Sequence, residues 1–408
     1  MTESFDVAVI GGGAAGMMCA AEIRRLAPAR SVVLLERQVR AGRKLLATGN
    51  GRCNLTHMNI APEFYPGGAD FARAALMRCP PSRVLEAFER MGLVCASDEA
   101  GRVYPRSDQA ASVLDALRLT LTERGAQLYT GFEVNRLERG FMIGAVDGRR
   151  LRAARVVLST GGPAGAKLGG TSAGHHLMKA LGHPTTRCLP ALVQIKTDPE
   201  PVRALKGIRA ACRLQLIAGG RAIERAAGEV LFQEYGVSGI AAMALGRAAA
   251  QALARGERTI LQFALADEDM HEVRARLEAL RRFVPARALE DFLSGLVPKR
   301  IGQTLIKQAG IGPLLRASGS LSDEELDRLA LLLTDWRLSV IGTRGFEDAQ
   351  VTAGGLSTEH FCPDTLESRI VPGLYAAGEV LDVDGTCGGY NLHWAWASAL
   401  AAAEASSR

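Results

Sequence analysis

The stretch FDVAVIGGGAAGMMCAAEI, residues 5–23, constrains the fold most strongly because an apolar run leads through a glycine-rich turn into an alanine-rich segment. The run at 5–10 predicts a buried strand, and residues 14–26 predict a helix. A second apolar run, SVVLL at 31–35, predicts another buried strand. Strand, helix and strand in this order form the unit of a doubly wound sheet, so we predict an α/β fold.

Three glycines follow the GxGxxG spacing where strand meets helix, and they predict a dinucleotide-binding turn. Gly11 permits the tight turn, Gly13 lets the backbone approach a pyrophosphate, and Gly16 allows the helix to pack closely on the sheet. Ala14 and Ala15, between the second and third of these glycines, would present backbone N–H groups and the positive end of the helix dipole to the phosphates.

An acidic residue follows at the spacing that this kind of site requires. Glu36 ends the second predicted strand, where its carboxylate can accept hydrogen bonds from a ribose diol. Arg37 comes next and favours neither NAD nor FAD. The fingerprint alone therefore leaves both dinucleotides open.

The stretch LLATGNGRCNLT, residues 45–56, is too irregular for a helix and too rich in glycine for a strand. Cys53 and the nearby His57 do not make up a metal-ligand set, so we predict no metal. A covalent flavin link through either residue, or a plain surface turn, are alternatives. The favoured interpretation is a cofactor-wrapping loop in which glycines allow close backbone approach and polar side chains donate to cofactor oxygens. The residues of this predicted loop are Gly42, Arg43, Lys44, Gly51, Arg52, Cys53 and Asn54.

Several separated motifs resemble those of the HI0933-like family of bacterial flavoproteins. They are GRKLLATGNGRCN at 42–54, GRVYP at 101–105, STGG at 159–162, GEVLF at 228–232 and GLYAAGEVLDVDGTCGGYNLHWAWASAL at 373–400. The last one also resembles the second FAD signature of glutathione-reductase-type flavoproteins. Together they span nearly the whole chain.

This resemblance implies non-covalently bound FAD and an FAD-binding Rossmann-type domain interrupted by a β-barrel-like and small helical insert. We expect the FAD-binding domain at 1–190 and 346–408. The insert is expected at 191–345, with a β-rich part at 191–265 and a helical part at 266–335.

The resemblance also implies positions around the cofactor. Val134 would meet the adenine through its backbone, with the turn at Gly161 and Gly162 beside it. Gly378 and Glu379 would lie near the pyrophosphate and ribityl groups. The helix start formed by Gly389, Tyr390, Asn391 and Leu392 would face the flavin pyrimidine, where a helix N-terminus stabilises the negative charge of a reduced flavin.

The absence of a second GxGxxG after a strand and of any CxxC limits the routes by which electrons could reach the flavin. A single GxGxxG follows a strand and no CxxC occurs, so we expect neither a separate NAD(P)H domain nor a dithiol relay. Electrons would then reach the flavin directly, from the substrate or from transiently docked NAD(P)H. By the resemblance we predict an FAD-dependent oxidoreductase that exchanges a hydride at flavin N5 with a small organic substrate held between the FAD domain and the insert. Amine oxidation and enone reduction both fit.

Two other functional classes are open. The chain has a formal charge of +6 but no run of five or six basic residues, so we expect no stable nucleic-acid complex. An RNA-associated flavoprotein is nevertheless an alternative, and a flavin-binding sensor without turnover is another. The N-terminal apolar run carries Glu3 and Asp6 and is broken by glycines, so we expect a cytoplasmic protein without a membrane span. The oligomeric state is not predicted.

Candidates for catalysis are few. Arg52, Tyr104 and Arg106 carry groups that could contact a substrate, and His393 follows the predicted flavin-facing helix start. For Tyr104 and His393, packing with one satisfied hydrogen bond is an equal alternative.

Overall fold

The computed structural model describes residues 2–408 and divides them into two compact units. The larger unit runs to Leu189 and resumes at Gln350–Arg408, and the smaller unit is Pro190–Ala349. The predicted insert, 191–345, lies inside the smaller unit.

The elements are labelled in chain order. The strands are β1 Glu3–Ile10, β2 Val32–Leu35, β3 Thr56–His57, β4 Cys95–Ser97, β5 Arg102–Pro105, β6 Gln127–Tyr129, β7 Val134–Leu137, β8 Met142–Ala145, β9 Arg150–Leu158, β10 Leu189–Ala191, β11 Ile195–Thr197, β12 Arg209–Ala218, β13 Arg221–Gln233, β14 Gly236–Ser238, β15 Thr259–Ala264, β16 Trp336–Thr343, β17 Val351–Ala353 and β18 Leu374–Ala376. The α-helices are α1 Ala14–Leu26, α2 Arg43–Leu46, α3 Ala69–Arg78, α4 Pro81–Glu89, α5 Ala110–Glu123, α6 Ala173–Ala180, α7 Ile240–Ala244, α8 Gly246–Ala254, α9 Met270–Phe283, α10 Leu289–Phe292, α11 Lys299–Gln308, α12 Asp323–Thr334 and α13 Tyr390–Ser406.

The larger unit is built on the predicted doubly wound sheet. Its strand order is β6-β2-β1-β9-β8-β7, with β18 also paired to β9. β1 runs parallel to β2 and β9, and β18 runs parallel to β9. The apolar runs of β1 and β2 are buried on both faces, as expected of central parallel strands. The predicted α/β fold class is confirmed.

The final helix, α13, lies in the core of the larger unit. It is apolar on all sides and packs against α1, and a helix of this kind must be buried. The indole N–H of Trp396 donates to the carbonyl of Leu55 at 2.9 Å, which ties the predicted cofactor loop to the core. Among the helices of residues 2–408, none combines the length and apolarity needed to cross a membrane.

The smaller unit contains a closed antiparallel barrel with strand order β11-β14-β13-β12-β15-β16. Phe232, Phe263 and Trp336 are buried in its core, where Phe232 stacks on both other rings and Phe263 is tilted against Trp336. Two features differ from the predicted division at 265. The barrel is completed by β16, which follows helices α9 to α12, and the alanine-rich segment of α7 and α8 is helical within the range predicted to be β-rich.

Candidate functional site

Each glycine of the fingerprint has its own structural reason. Gly11 has a left-handed φ of +110°, and a Cβ there would lie 2.5 Å from the carbonyl oxygen of Ser159, just after β9. A Cβ at Gly16 would collide with the carbonyl oxygen of Gly11 and lie 2.6 Å from Oγ of Ser159. A Cβ at Gly13 would meet no atom within 4 Å. Gly11 and Gly16 are therefore needed for packing, whereas Gly13 leaves room beside the backbone.

The start of α1 is suited to an anion. Gly13 is the N-cap residue, no side chain caps the helix, and its first turn contains no acidic residue. The first N–H groups of a helix have no partner within the helix, and the helix dipole favours negative charge beside them. The backbone from Gly13 to Ala15 therefore fits the pyrophosphate of FAD.

Glu36 holds the fingerprint turn from the end of β2. Its Oε2 accepts a hydrogen bond from the Gly12 N–H at 2.8 Å, and its Oε1 accepts one from the Gln38 N–H at 2.7 Å. Each carboxylate oxygen can accept a second bond, which leaves capacity for a ribose hydroxyl. The Phe132 N–H donates to the Glu36 carbonyl at 2.9 Å and brings the start of β7 close. Val134 is buried at this strand start, and the contact of its backbone with an adenine stays a prediction.

The C-terminal glycine turn packs directly on α1. Gly378 has a φ of +78°, and a Cβ there would lie 2.9 Å from Cβ of Ala15. Its N–H donates to Oγ of Ser398 at 2.9 Å, and its carbonyl accepts from Nε1 of Trp394 at 3.1 Å. The structure thus brings together the two segments that the sequence assigns to the cofactor.

Glu379 connects several parts of this surface. Its Oε2 pairs with Nζ of Lys44 at 2.7 Å, and its Oε1 accepts from the Thr352 N–H at 2.8 Å. Oγ1 of Thr352 accepts in turn from the Ala164 N–H at 3.0 Å, and a Cβ at Gly162 would lie 2.7 Å from Cβ of Thr352. Lys44 and Glu379 therefore position the loop and the glycine turn against each other.

The other predicted cofactor residues differ in their surroundings. Gly161 and Gly51 have left-handed φ values and no atom within 4 Å of an added Cβ, while the Gly42 N–H donates to the Gly12 carbonyl. Two further predicted cofactor residues, Arg37 and Arg43, already donate hydrogen bonds to groups within the protein. Nη2 of Arg37 donates to the Gly169 carbonyl at 3.0 Å, and Nη1 of the exposed Arg43 donates to Oε1 of Gln38 at 2.9 Å.

The start of α13 lies directly beside the loop. Gly389 has a φ of +100°, and a Cβ there would lie 2.7 Å from the Thr56 backbone and 2.8 Å from Oδ1 of Asn54. No side chain caps the helix, and Asn391 holds the preceding turn by exchanging hydrogen bonds with Gly385 at 2.8 Å. Oδ1 of Asn54 is buried without a hydrogen-bond partner in residues 2–408. An unpaired acceptor next to an uncapped helix start fits a ligand that carries both N–H and carbonyl groups, as a flavin pyrimidine does.

Tyr390 packs where the first turn of α13 meets the core. Its ring stacks between His57 and Phe64, with centroid distances of 5.1 and 4.5 Å. Its carbonyl accepts from the Tyr65 hydroxyl at 3.0 Å. The neighbouring Leu392 is partly exposed. The backbone of this turn, rather than the Tyr390 ring, is therefore the surface available to a ligand.

Cys53 is buried in the loop with a left-handed φ of +60°. Burial raises the pKa of its thiol to about 12, against a smaller opposing effect of the hydrogen bond with Thr48. The thiol is therefore neutral at physiological pH, which disfavours both metal binding and nucleophilic chemistry. Within residues 2–408, no group of three or more His, Cys, Asp and Glu side chains could hold a metal ion.

Two catalytic candidates lie together at the surface. The guanidinium of Arg52 lies over the Tyr104 ring at 4.2 Å, and its Nε donates to Oδ1 of Asp108 at 2.6 Å. Arg106 is exposed on the same turn. Asp108 could not be selected from the sequence, because its spacing of 56 residues from Arg52 carries no signal in a single chain. The same holds for Thr352 and Ser398, whose contacts form on folding.

The position of His393 favours a structural role. The side chain is 0% exposed, and its Nδ1 lies 2.8 Å from Oγ1 of Thr56. Burial lowers the pKa of His393 to about 4, against a smaller opposing effect of the Cys79 backbone. Nε2 is buried and has no hydrogen-bond partner within residues 2–408.

Sequence comparisons reveal full-length relatives. The family model described as HI0933-like protein Rossmann domain matches residues 5–405. The 3-dehydro-bile acid delta(4,6)-reductase of Clostridium scindens is 37% identical over 406 residues, which cover 98% of each chain. The ribosomal RNA dihydrouridine synthase of Escherichia coli is 30% identical over 410 residues, again 98% of each chain.

A comparison with solved structures concerns the fold. A variant of the quinol fumarate reductase subunit FrdA of E. coli aligns with a TM-score of 0.51 and 16% identity. The alignment covers 100% of this chain and 70% of the other. At this level of identity the likeness shows a shared fold and nothing about activity.

The contrast between two glycines gives a first test of the site. We expect Gly13→Val to fold normally but lose FAD, because the added side chain would fill the room beside the backbone. Gly16→Val should instead lower the melting temperature of the FAD-free protein, because its side chain collides with the backbone of Gly11. Flavin absorbance of the purified variants and thermal unfolding after FAD removal measure the two effects.

Gly295→Val is the matched control for Gly13→Val. An added Cβ at Gly295, in the smaller unit, also meets no atom within 4 Å, so this variant should retain both stability and FAD. Stoichiometric FAD in Gly13→Val would contradict the assignment of the fingerprint.

The buried imidazole predicts a pH dependence of stability. The pKa of His393 is about 4 in the folded chain and 6.5 without burial. Its stabilising effect is therefore complete above pH 6.5 and is lost as the pH falls toward 4, in total by about 3 kcal/mol. His393→Asn should flatten this part of the pH profile of the free energy of unfolding, whereas His271→Asn, at an exposed position of α9, should not. Equal slopes in His393→Asn and the unsubstituted protein would contradict the assignment.

Proposed function

We propose, from the premise that this chain belongs to the HI0933-like family and is an FAD-dependent oxidoreductase, that it reduces a carbon–carbon double bond conjugated to a carbonyl group. The observation that carries the proposal is the match to the C. scindens reductase along 98% of both chains. The names of that protein and of the E. coli synthase both describe the addition of two hydrogens to such a double bond.

The side chains and backbone described above support this chemistry in defined ways. Bound FAD would supply hydride transfer at N5. The backbone at Gly13 and Ala14 would hold the pyrophosphate, and Glu36 would hold the ribose. The start of α13 at Gly389 would place N–H donors and a positive dipole where a reduced flavin carries negative charge.

We further propose that the FAD is held without a covalent bond and is reduced by transiently docked NAD(P)H. The neutral, buried thiol of Cys53 supports non-covalent binding, because a covalent link would need an accessible nucleophile. A colourless supernatant after acid precipitation, with the flavin in the pellet, would contradict this part of the proposal.

The second candidate substrate is a uridine in RNA. The 30% identity to the E. coli synthase along 98% of both chains favours it. Uracil, like an enone, has a double bond conjugated to a carbonyl, so one flavin site could serve either reaction. Amine oxidation, the other activity expected from the sequence, is not described by either name.

Anaerobic mixing experiments test the proposed reaction. NADH or NADPH should bleach the flavin absorbance of the FAD-loaded protein, and a 3-oxo-Δ4,6 steroid should restore it while the dienone absorbance disappears. A saturated 3-oxo steroid is the control substrate, since it offers no double bond and should leave the flavin reduced. Mass spectrometry for dihydrouridine after incubation with a ribosomal RNA transcript tests the second candidate.

The alternative outcomes separate the functional classes. Bleaching of the flavin by amines, with peroxide on re-aeration, would replace the proposal by an oxidase. Failure of every donor to reduce the bound flavin would indicate a flavin-binding protein without turnover.

A further inference from the structure

Arg52 belongs to a recurring arrangement in which an arginine covers an aromatic ring and pairs with an aspartate. Three examples occur in residues 2–408, and they are Arg52 with Tyr104 and Asp108, Arg149 with Phe132 and Asp147, and Arg344 with Tyr235 and Asp348. The ring and the carboxylate together fix the plane of the guanidinium.

Arg52 differs from the other two arginines in the donors that it leaves unused. Its single hydrogen bond runs from Nε to Asp108, and neither Nη1 nor Nη2 donates to any group in residues 2–408. Nη2 of Arg149 pairs with its aspartate and also donates to the Gly131 carbonyl. Nη2 of Arg344 pairs with its aspartate at 2.7 Å. Arg52 is thus held in place while its two terminal nitrogens stay available.

The backbone around Arg52 is unusually strained. Within residues 2–408, six residues other than glycine have a left-handed φ, and three of them are Asn50, Cys53 and Asp108, with φ of 56°, 60° and 57°. Residues of this kind tend to persist where the surrounding structure requires them, as at ligand sites. Two of the three flank Arg52, and the third carries the carboxylate that positions it.

Arg52 lies next to the predicted flavin end of the site. A Cβ at Gly49 would lie 2.9 Å from the Asn54 backbone nitrogen and 3.7 Å from Cε1 of Tyr104. A Cβ at Gly389, at the start of α13, would lie 2.8 Å from Oδ1 of Asn54. Asn54 and Tyr104 both lie close to Gly49, so the guanidinium over Tyr104 and the start of α13 approach the same segment of the loop.

We propose that Arg52 binds an anionic group of the substrate, a carboxylate or a phosphate, with Tyr104 and Asp108 as positioning residues. A guanidinium with two adjacent free nitrogens matches the two oxygens of such a group. The Arg52 side chain is 48% exposed, so it suits a group that is charged before the reaction and lies away from the double bond. This inference rests on the proposed function and adds a substrate class to it.

Binding measurements without a reductant provide the test. The probes are a 3-oxo-Δ4 steroid with a side-chain carboxylate and its methyl ester, and uridine 5′-monophosphate and uridine. We expect the FAD-loaded protein to bind the anionic member of one pair more tightly by about tenfold in Kd, measured by calorimetry. Whether the acid or the nucleotide shows the preference distinguishes a carboxylate from a phosphate.

Arg52→Met should abolish that preference, while Arg52→Lys should keep part of it because the charge stays and the fork is lost. Arg149→Met is the matched control, since Arg149 has the same kind of contacts, is 47% exposed and should leave the preference unchanged. In turnover, Arg52→Met should raise KM for the anionic probe with little change in kcat, as expected for a contact made equally in ground and transition states.

Several outcomes would overturn the inference. They are an equal preference in Arg52→Met and the unsubstituted protein, an equal weakening of anionic and neutral probes, and loss of FAD from Arg52→Met, which would assign the side chain to the cofactor. The absence of turnover with every probe, together with an anion preference that depends on Arg52, would instead contradict the proposed reaction. It would still support an anion-binding role of Arg52.

Discussion

The rest of the larger unit depends on the close approach of α1 to the backbone at the ends of β1 and β9. This approach needs Gly11 and Gly16, since a Cβ at either position would overlap main-chain atoms. It places the uncapped start of α1 at the carboxyl end of the parallel strands, where ligands of open α/β sheets bind. Gly378 packs against Ala15 at the same helix start, so N-terminal and C-terminal segments contribute to one surface.

The predicted cofactor loop, residues 45–56, is attached to the core on the side that faces α13. Leu55 accepts from the indole of Trp396, Thr56 meets His393, and Cys53 is buried between them and the outer turn. These contacts are in the core, where hydrogen bonds are strong and unpaired groups are costly. The side that faces α13 is therefore fixed by core contacts, whereas Arg52, whose terminal nitrogens have no partner within residues 2–408, is exposed at the outer edge.

The elements that carry the predicted cofactor residues could be predicted from the sequence because they depend on local patterns. The α1 helix begins at Ala14 and ends at Leu26, as expected from its apolar spacing, and the glycine spacing predicted the uncapped turn that precedes it. Predictions failed where pairing joins distant segments. The closing barrel strand β16 lies beyond four helices, and the alanine-rich α7 and α8 interrupt a range that otherwise reads as strands.

The sequence by itself determined the family and the fold class and predicted the dinucleotide turn, because each depends on residue types at short, regular spacings. The tertiary structure decided which of the candidate side chains have free donors or acceptors. It buried His393 against Thr56, paired Lys44 with Glu379, and left two nitrogens of Arg52 unbonded beside Tyr104. The physical reason is that solvent exposure and hydrogen-bond partners are set by residues far apart in the chain, and these meet only when the sheet and α13 bring them together.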